Sequence, residues 1–156
     1  NIAGLQTAAV SVPDPTLRHK VWRGLNTDEV AEPNAFAVTA AIAAFTKGAP
    51  WLSELRAYIA ENRRVTTAFV EKEIPQIHVV GGDATYLLWL CCNRLQTDSA
   101  TLAAFIRKET GLYLSAGRAY GGDGDAFLRM NIACPRAILE DGLGRLKKGI
   151  DAFINR

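Results

Sequence analysis

Apolar residues recur along this chain with two different spacings, and the change from one to the other divides it. Trp51, Leu55, Tyr58, Ile59, Asn62, Val65 and Phe69 fall three or four residues apart, the repeat of one helical face. Pro50 suits the first turn of such a helix, where its missing N–H would have no partner anyway. The pattern predicts one amphipathic helix of about 24 residues, near 36 Å long at the usual rise per residue. Ahead of it, Asn34 is placed to cap an Ala-rich helix that runs to about Lys47 and stops at Gly48. That segment is apolar nearly all round, so it is expected to be well buried. Nearer the start, AAVSV (8–12) reads as a strand closed by Pro13, Asp14 and Pro15, and a short helix is expected over Thr16 to Leu25.

Beyond Pro75 the spacing shortens. IHVV (77–80), a turn at Gly81 and Gly82, and ATYLLWLCC (84–92) read as two strands rich in β-formers. Asp98 or Ser99 caps a helix over Thr101 to Thr110 that ends at Gly111, and LYLS (112–115) returns as a strand. The glycine-rich stretch AGRAYGGDGD leads into FLRMNIAC, a further strand. After Pro135, Ile138, Leu139, Leu143, Leu146, Ile150 and Phe153 mark one face of a final helix. The second half is therefore strand, strand, helix, strand, strand, helix, an α+β arrangement with helices on one sheet face. A boundary between two structural units is expected inside the long helix, around Asn62.

Composition removes several classes of function. With 156 residues and 49% apolar content the chain can bury an ordinary core. Its 18 basic residues are scattered and the net charge is +2, so no stripe for nucleic acid stands out. No apolar run approaches the roughly 20 residues that a membrane span needs. Three cysteines, Cys91, Cys92 and Cys134, make an odd count without a framework spacing, which points to a reducing, cytoplasmic setting. The chain starts without Met and without a signal-peptide profile, so its first residue is expected to be a cut inside a longer protein.

One residue stands out chemically. Along a strand, Phe127, Arg129 and Asn131 share one face while Leu128, Met130 and Ile132 share the other. Arg129 then sits away from the packing helices, among apolar neighbours, carrying a charge it cannot shed. Three readings stay open: a receptor for an anionic ligand group, an internal ion pair with an acid, or a solvent-facing arginine. The glycine loop 117–125 lacks the lysine and following helix of a phosphate-binding loop and the acidic spacing of an EF-hand, so a plain turn is expected. His19 and His78 form no metal-ligand pattern with the cysteines, so no metal site is expected. Cys91 and Cys92 read as small core residues, and no lysine looks desolvated enough to form a Schiff base.

NIAGLQ at the start, NAFAVTAAIAAFTKGAPWLSELRAYIAENR, ATYLLWL and FLRMNIACPRAILEDGLGRL together resemble fold-type I pyridoxal-phosphate enzymes of the class I/II aminotransferase superfamily. The similarity runs over nearly the whole chain and is closest to carbon–sulfur lyases of the cystathionine β-lyase kind. It implies a mixed α/β chain, the C-terminal part of a fold-type I transferase, whose small α+β domain has helices on one sheet face. Residues 1–62 would end the large cofactor-binding domain, and residues 63–156 would be the small domain. The resemblance places the Schiff-base lysine just upstream of Asn1, and the grip on the substrate α-carboxylate on Arg129. Cofactor-binding residues would also lie upstream, so this stretch alone is expected to be inactive and to hold no pyridoxal phosphate. The implied full-length protein is a cytoplasmic homodimer acting on a small amino acid, with no nucleic-acid or membrane partner. A class I/II aminotransferase and a non-catalytic amino-acid-binding regulatory module are the alternatives.

Overall fold

The computed structural model describes residues 2–156. They divide into two units, the first ending at Glu54 and the second spanning Leu55–Arg156. Asn1, the first residue of the NIAGLQ motif, lies outside the described residues.

In the first unit, a 3-10 turn at Ala3–Leu5 is followed by α1 (Pro15–Thr27), α2 (Ala37–Lys47) and the start of α3 (Ala49–Glu73). Asp14 begins α1 by accepting a hydrogen bond from Leu17 N at 2.6 Å, with Pro15 in the first helical position. Two expectations fail here. AAVSV forms no strand: among the described residues it has no partner and the paired strands are all in the second unit, and an extended segment becomes a strand only through a ladder. Nor is α2 well buried. Of its residues only Ala37 is buried, and Val38, Ile42 and Phe45 are exposed, Phe45 to 80%. An apolar helix is hidden only where another surface lies on it, and this unit supplies none. Asn34 also acts two residues early, since its Oδ1 accepts from Phe36 N and its carbonyl from Ala37 N, leaving Phe36 at the N-cap.

The second unit is built on a four-stranded antiparallel sheet. Its strands are β1 (His78–Val79), β2 (Leu87–Cys91), β3 (Ser115–Ala116) and β4 (Phe127–Asn131), in the order β1-β2-β4-β3. Leu88 and Leu90 of β2 and Leu128 and Met130 of β4 point to one face. There they meet Leu102 and Ile106 of α4 (Ser99–Thr110) and Leu139, Leu143, Leu146 and Ile150 of α5 (Arg136–Ile154), all buried. Val70 of α3 and Ile74 just beyond it join the same core. Gly149 allows α5 to approach α4: a Cβ there would stand 3.1 Å from Ile106.

Strands are shorter than their sequences suggest. LYLS contributes only Ser115 to β3, because the pairing with β4 consists of Ser115 with Arg129 and Ala116 with Leu128 before the backbone turns at Gly117. FLRMNIAC leaves the ladder after Asn131, whose Oδ1 accepts from Ala133 N at 2.8 Å. Such a side-chain turn offers the backbone a local alternative to the sheet. Asp98 is the N-cap of α4, its Oδ1 accepting from Ala100 N and Thr101 N.

Candidate functional site

The sheet face turned away from the helices carries Leu87, Trp89 and Cys91 from β2, Ser115 from β3, and Phe127, Arg129 and Asn131 from β4; Cys91 is buried and most of the others are half-buried. In register, Arg129 lies between Trp89 on one side and Ser115 on the other. The aromatic ring of Tyr120 covers the guanidinium, with its centroid 4.3 Å from Cζ. Trp89 stands edge-on to Tyr120 at 5.5 Å and to Phe127 at 6.1 Å. Arg129 is half-buried in this box.

Of the three readings of Arg129, the internal ion pair is removed. Among the described residues no carboxylate lies within 4.0 Å of its guanidinium. Its one side-chain hydrogen bond is a long one, from Nη2 to Ser115 Oγ at 3.5 Å, at the edge of what counts as a bond. A planar fork with five donors is thus held in place with most of its donors free. Its chemistry suits a carboxylate, which accepts two parallel N–H bonds.

The glycine loop is more structured than a plain turn. It folds as two short 3-10 turns, Gly117–Tyr120 and Gly124–Ala126. These touch backbone to backbone, and a Cβ on Gly117 would collide with the carbonyls of Gly124 and Phe127. Arg118 ties the turns together, donating from Nε to Asp125 Oδ1 at 2.7 Å and from Nη2 to Oδ2 at 3.0 Å. Its backbone N–H donates to Ser99 Oγ at the start of α4. The loop therefore fixes Tyr120 from outside the aromatic box. Trp89, Ser115 and Tyr120 were not picked out from the sequence. Strand alternation in ATYLLWLCC could have placed Trp89 on the face of Arg129, but no local signal marks Tyr120.

Beside the loop lies a cleft of about 770 Å³ with a mixed lining that includes Asn93, Gln96, Asp98, Asp123, Asp125 and Phe127. Hydrogen bonds from the Thr101 backbone N–H and hydroxyl hold the Asp98 carboxyl below the usual carboxylate range. Among the described residues no cluster of three metal-ligating side chains occurs. The three cysteines are free thiols. Burial pushes the Cys92 thiol up to about 12 and raises that of Cys134 as well.

Comparison with known proteins places this geometry in a family. Residues 2–146 match the family described as aminotransferase class I and II, and the chain belongs to it. It is 40% identical over 150 residues to cystathionine beta-lyase PatB of Bacillus subtilis, covering 96% of this chain and 39% of the relative. A PLP-bound putative aminotransferase from Clostridium difficile 630 superposes with a TM-score of 0.89 at 28% identity, over 96% of this chain and 38% of that one. A putative PLP-dependent beta-cystathionase from Corynebacterium diphtheriae gives 0.86 at 27% identity, over 97% and 40%. The fold is that of the fold-type I transferases, and the chain spans about two fifths of the length of these relatives.

The glycine loop makes no cradle for a phosphate group. Lys20, Lys47, Lys72, Lys108, Lys147 and Lys148 all stand on helices, and none projects from the sheet face that carries Arg129. Glycine-on-glycine contact closes the loop, and Asp123 and Asp125 beside it would repel a phosphate. What this segment offers is the Arg129 guanidinium, held under the Tyr120 ring with most of its donors free among the described residues.

Proposed function

We propose that this chain is the C-terminal portion of a pyridoxal-phosphate-dependent carbon–sulfur β-lyase acting on cystathionine- or cysteine-type amino acids, with Arg129 binding the substrate α-carboxylate. The observation that carries the reading is a half-buried guanidinium beneath the Tyr120 ring that, among the described residues, is paired with no acid. The 40% identity to a cystathionine β-lyase supports the lyase branch. Residues 1–62 belong to the large domain and 63–156 to the small one, a separation supported by the compact unit beginning at Leu55. The cofactor and its lysine are held by chain upstream of Asn1. The intact protein is a homodimer, and it is cytoplasmic, a compartment to which the free cysteines lend support.

Arg129 acts by position. Two hydrogen bonds to the carboxylate fix one end of the amino acid, so that its Cα–H bond is presented in one orientation, and such placement removes much of the entropic barrier to reaction. In the full-length protein, Arg129→Ala should lower kcat/KM for L-cystathionine by about 100-fold, on the scale of charge-assisted hydrogen bonds. Unchanged catalytic efficiency would refute the assignment. An aminotransferase is the second reading, favoured by the likeness to the C. difficile protein. Release of pyruvate and ammonia from L-cystathionine marks the lyase, whereas amino-group transfer to an added keto acid marks the aminotransferase.

A further inference from the structure

An arginine that must receive a carboxylate has to be oriented without being neutralised. A carboxylate neighbour would orient it but would occupy the same N–H donors that a ligand needs. Tyr120 solves this differently. Its ring lies against the guanidinium at 4.3 Å and restrains it through the π face, taking up none of its N–H donors. Trp89 backs the ring edge-on at 5.5 Å. Tyr120 is itself held by the Gly117–Gly124 contact and the Arg118–Asp125 pair, so its place does not depend on Arg129. Among the described residues its hydroxyl makes no hydrogen bond within the chain, so the ring is the part in use.

We propose that Tyr120 is a positioning residue for Arg129, setting the plane of the guanidinium so that its free edge meets the carboxylate of an amino-acid ligand. This rests on the role given to Arg129 above and extends it to a residue that does not touch the reacting atoms. Arg129 keeps its charge when the ring is lost, so the effect should appear chiefly in KM, with kcat changed little. The benzene ring should suffice without the hydroxyl.

The test uses the full-length holoenzyme with L-cystathionine and L-cysteine as probes. Tyr120→Ala should raise KM about tenfold while kcat stays within about twofold, in line with a partly desolvated cation–π contact. Tyr120→Phe should stay within about twofold of the parent in both constants. In a double-variant cycle, adding Tyr120→Ala to Arg129→Ala should raise KM no further, because the group being positioned is gone. Should Tyr120→Ala fail to fold, Tyr120→Leu keeps the bulk, removes the π face, and should show the same rise in KM. Unchanged KM in Tyr120→Ala or Tyr120→Leu, alongside a raised KM in Arg129→Ala, would overturn this inference alone. Unchanged KM in Arg129→Ala itself would overturn both. Loss of kcat in Tyr120→Phe would show that the hydroxyl does chemistry, and would also overturn it.

Discussion

The side-chain amide of Asn62, midway along α3, donates to the backbone carbonyl of Ile132 at 2.8 Å, immediately after the strand that carries Arg129. The same nitrogen reaches Cys134 O at 3.0 Å. Asn62 is fully buried. One polar side chain thus takes up two carbonyls freed where β4 leaves the sheet.

Replacing Asn62 by Ala would leave the buried Ile132 carbonyl and the part-buried Cys134 carbonyl without their donor. Asn62→Ala should destabilise the second unit by about 2–4 kcal/mol, the cost of unsatisfied buried acceptors. Urea denaturation checks the size, and hydrogen exchange at residues 131–134 checks the location.

Gly117 tolerates no side chain, since a Cβ would run into the backbone of Gly124 and Phe127 and stand 3.1 Å from the Trp89 ring. Gly117→Ala should therefore cost about 1–3 kcal/mol, typical of overpacking against atoms that cannot yield. It should also displace Tyr120 from Arg129, so weaker amino-acid binding should accompany the stability loss. Gly144, which meets nothing within 4 Å, is the control: Gly144→Ala should be neutral or stabilising in denaturation.

Cys92 predicts an alkaline weakness. Burial raises its thiol from 9.0 to about 12, so between those values the unfolded chain loses a proton that the folded one keeps. Stability is then full below about pH 9 and falls as pH rises toward 12, by roughly 4 kcal/mol if the whole difference is expressed. Cys92→Ala should lack this slope. Its stability deficit relative to the parent, measured in urea, should shrink between pH 8 and about pH 11.

At the acid end Asp98 has the opposite sign. Its carboxyl is held below its ordinary 3.8 by hydrogen bonds from Thr101 and Ala100 at the start of α4. The stabilisation is present above that value and is lost as pH falls through the depressed one. Asp98→Asn keeps an acceptor for the cap but cannot titrate. Its acid unfolding curve, followed by circular dichroism, should be flatter than the parent's.

Much of the region around Arg129 was legible because it depends on local rules. Two-residue alternation in FLRMN suffices to put Arg129 opposite Leu128 and Met130, and the three-and-four spacing from Trp51 to Phe69 suffices for α3. The failures share a different cause. AAVSV has strand composition but no partner, and α2 has a buried helix's composition but no cover within its unit. Tyr120 reaches Arg129 only because two glycines seven residues apart meet and the β3–β4 register brings their loop over the strand. No stretch of sequence shorter than that closure contains the information.

The alternation of β4 has a consequence for anyone who would redesign the protein. Leu128 and Met130 answer to volume, while Phe127 and Asn131 flank Arg129 on the face that helices leave bare. A library varied at Phe127 and Asn131 would alter the company of the guanidinium without entering the core. Changes of ligand preference and changes of foldability would then be spelled with different letters of the same five-residue word, and could be selected one at a time.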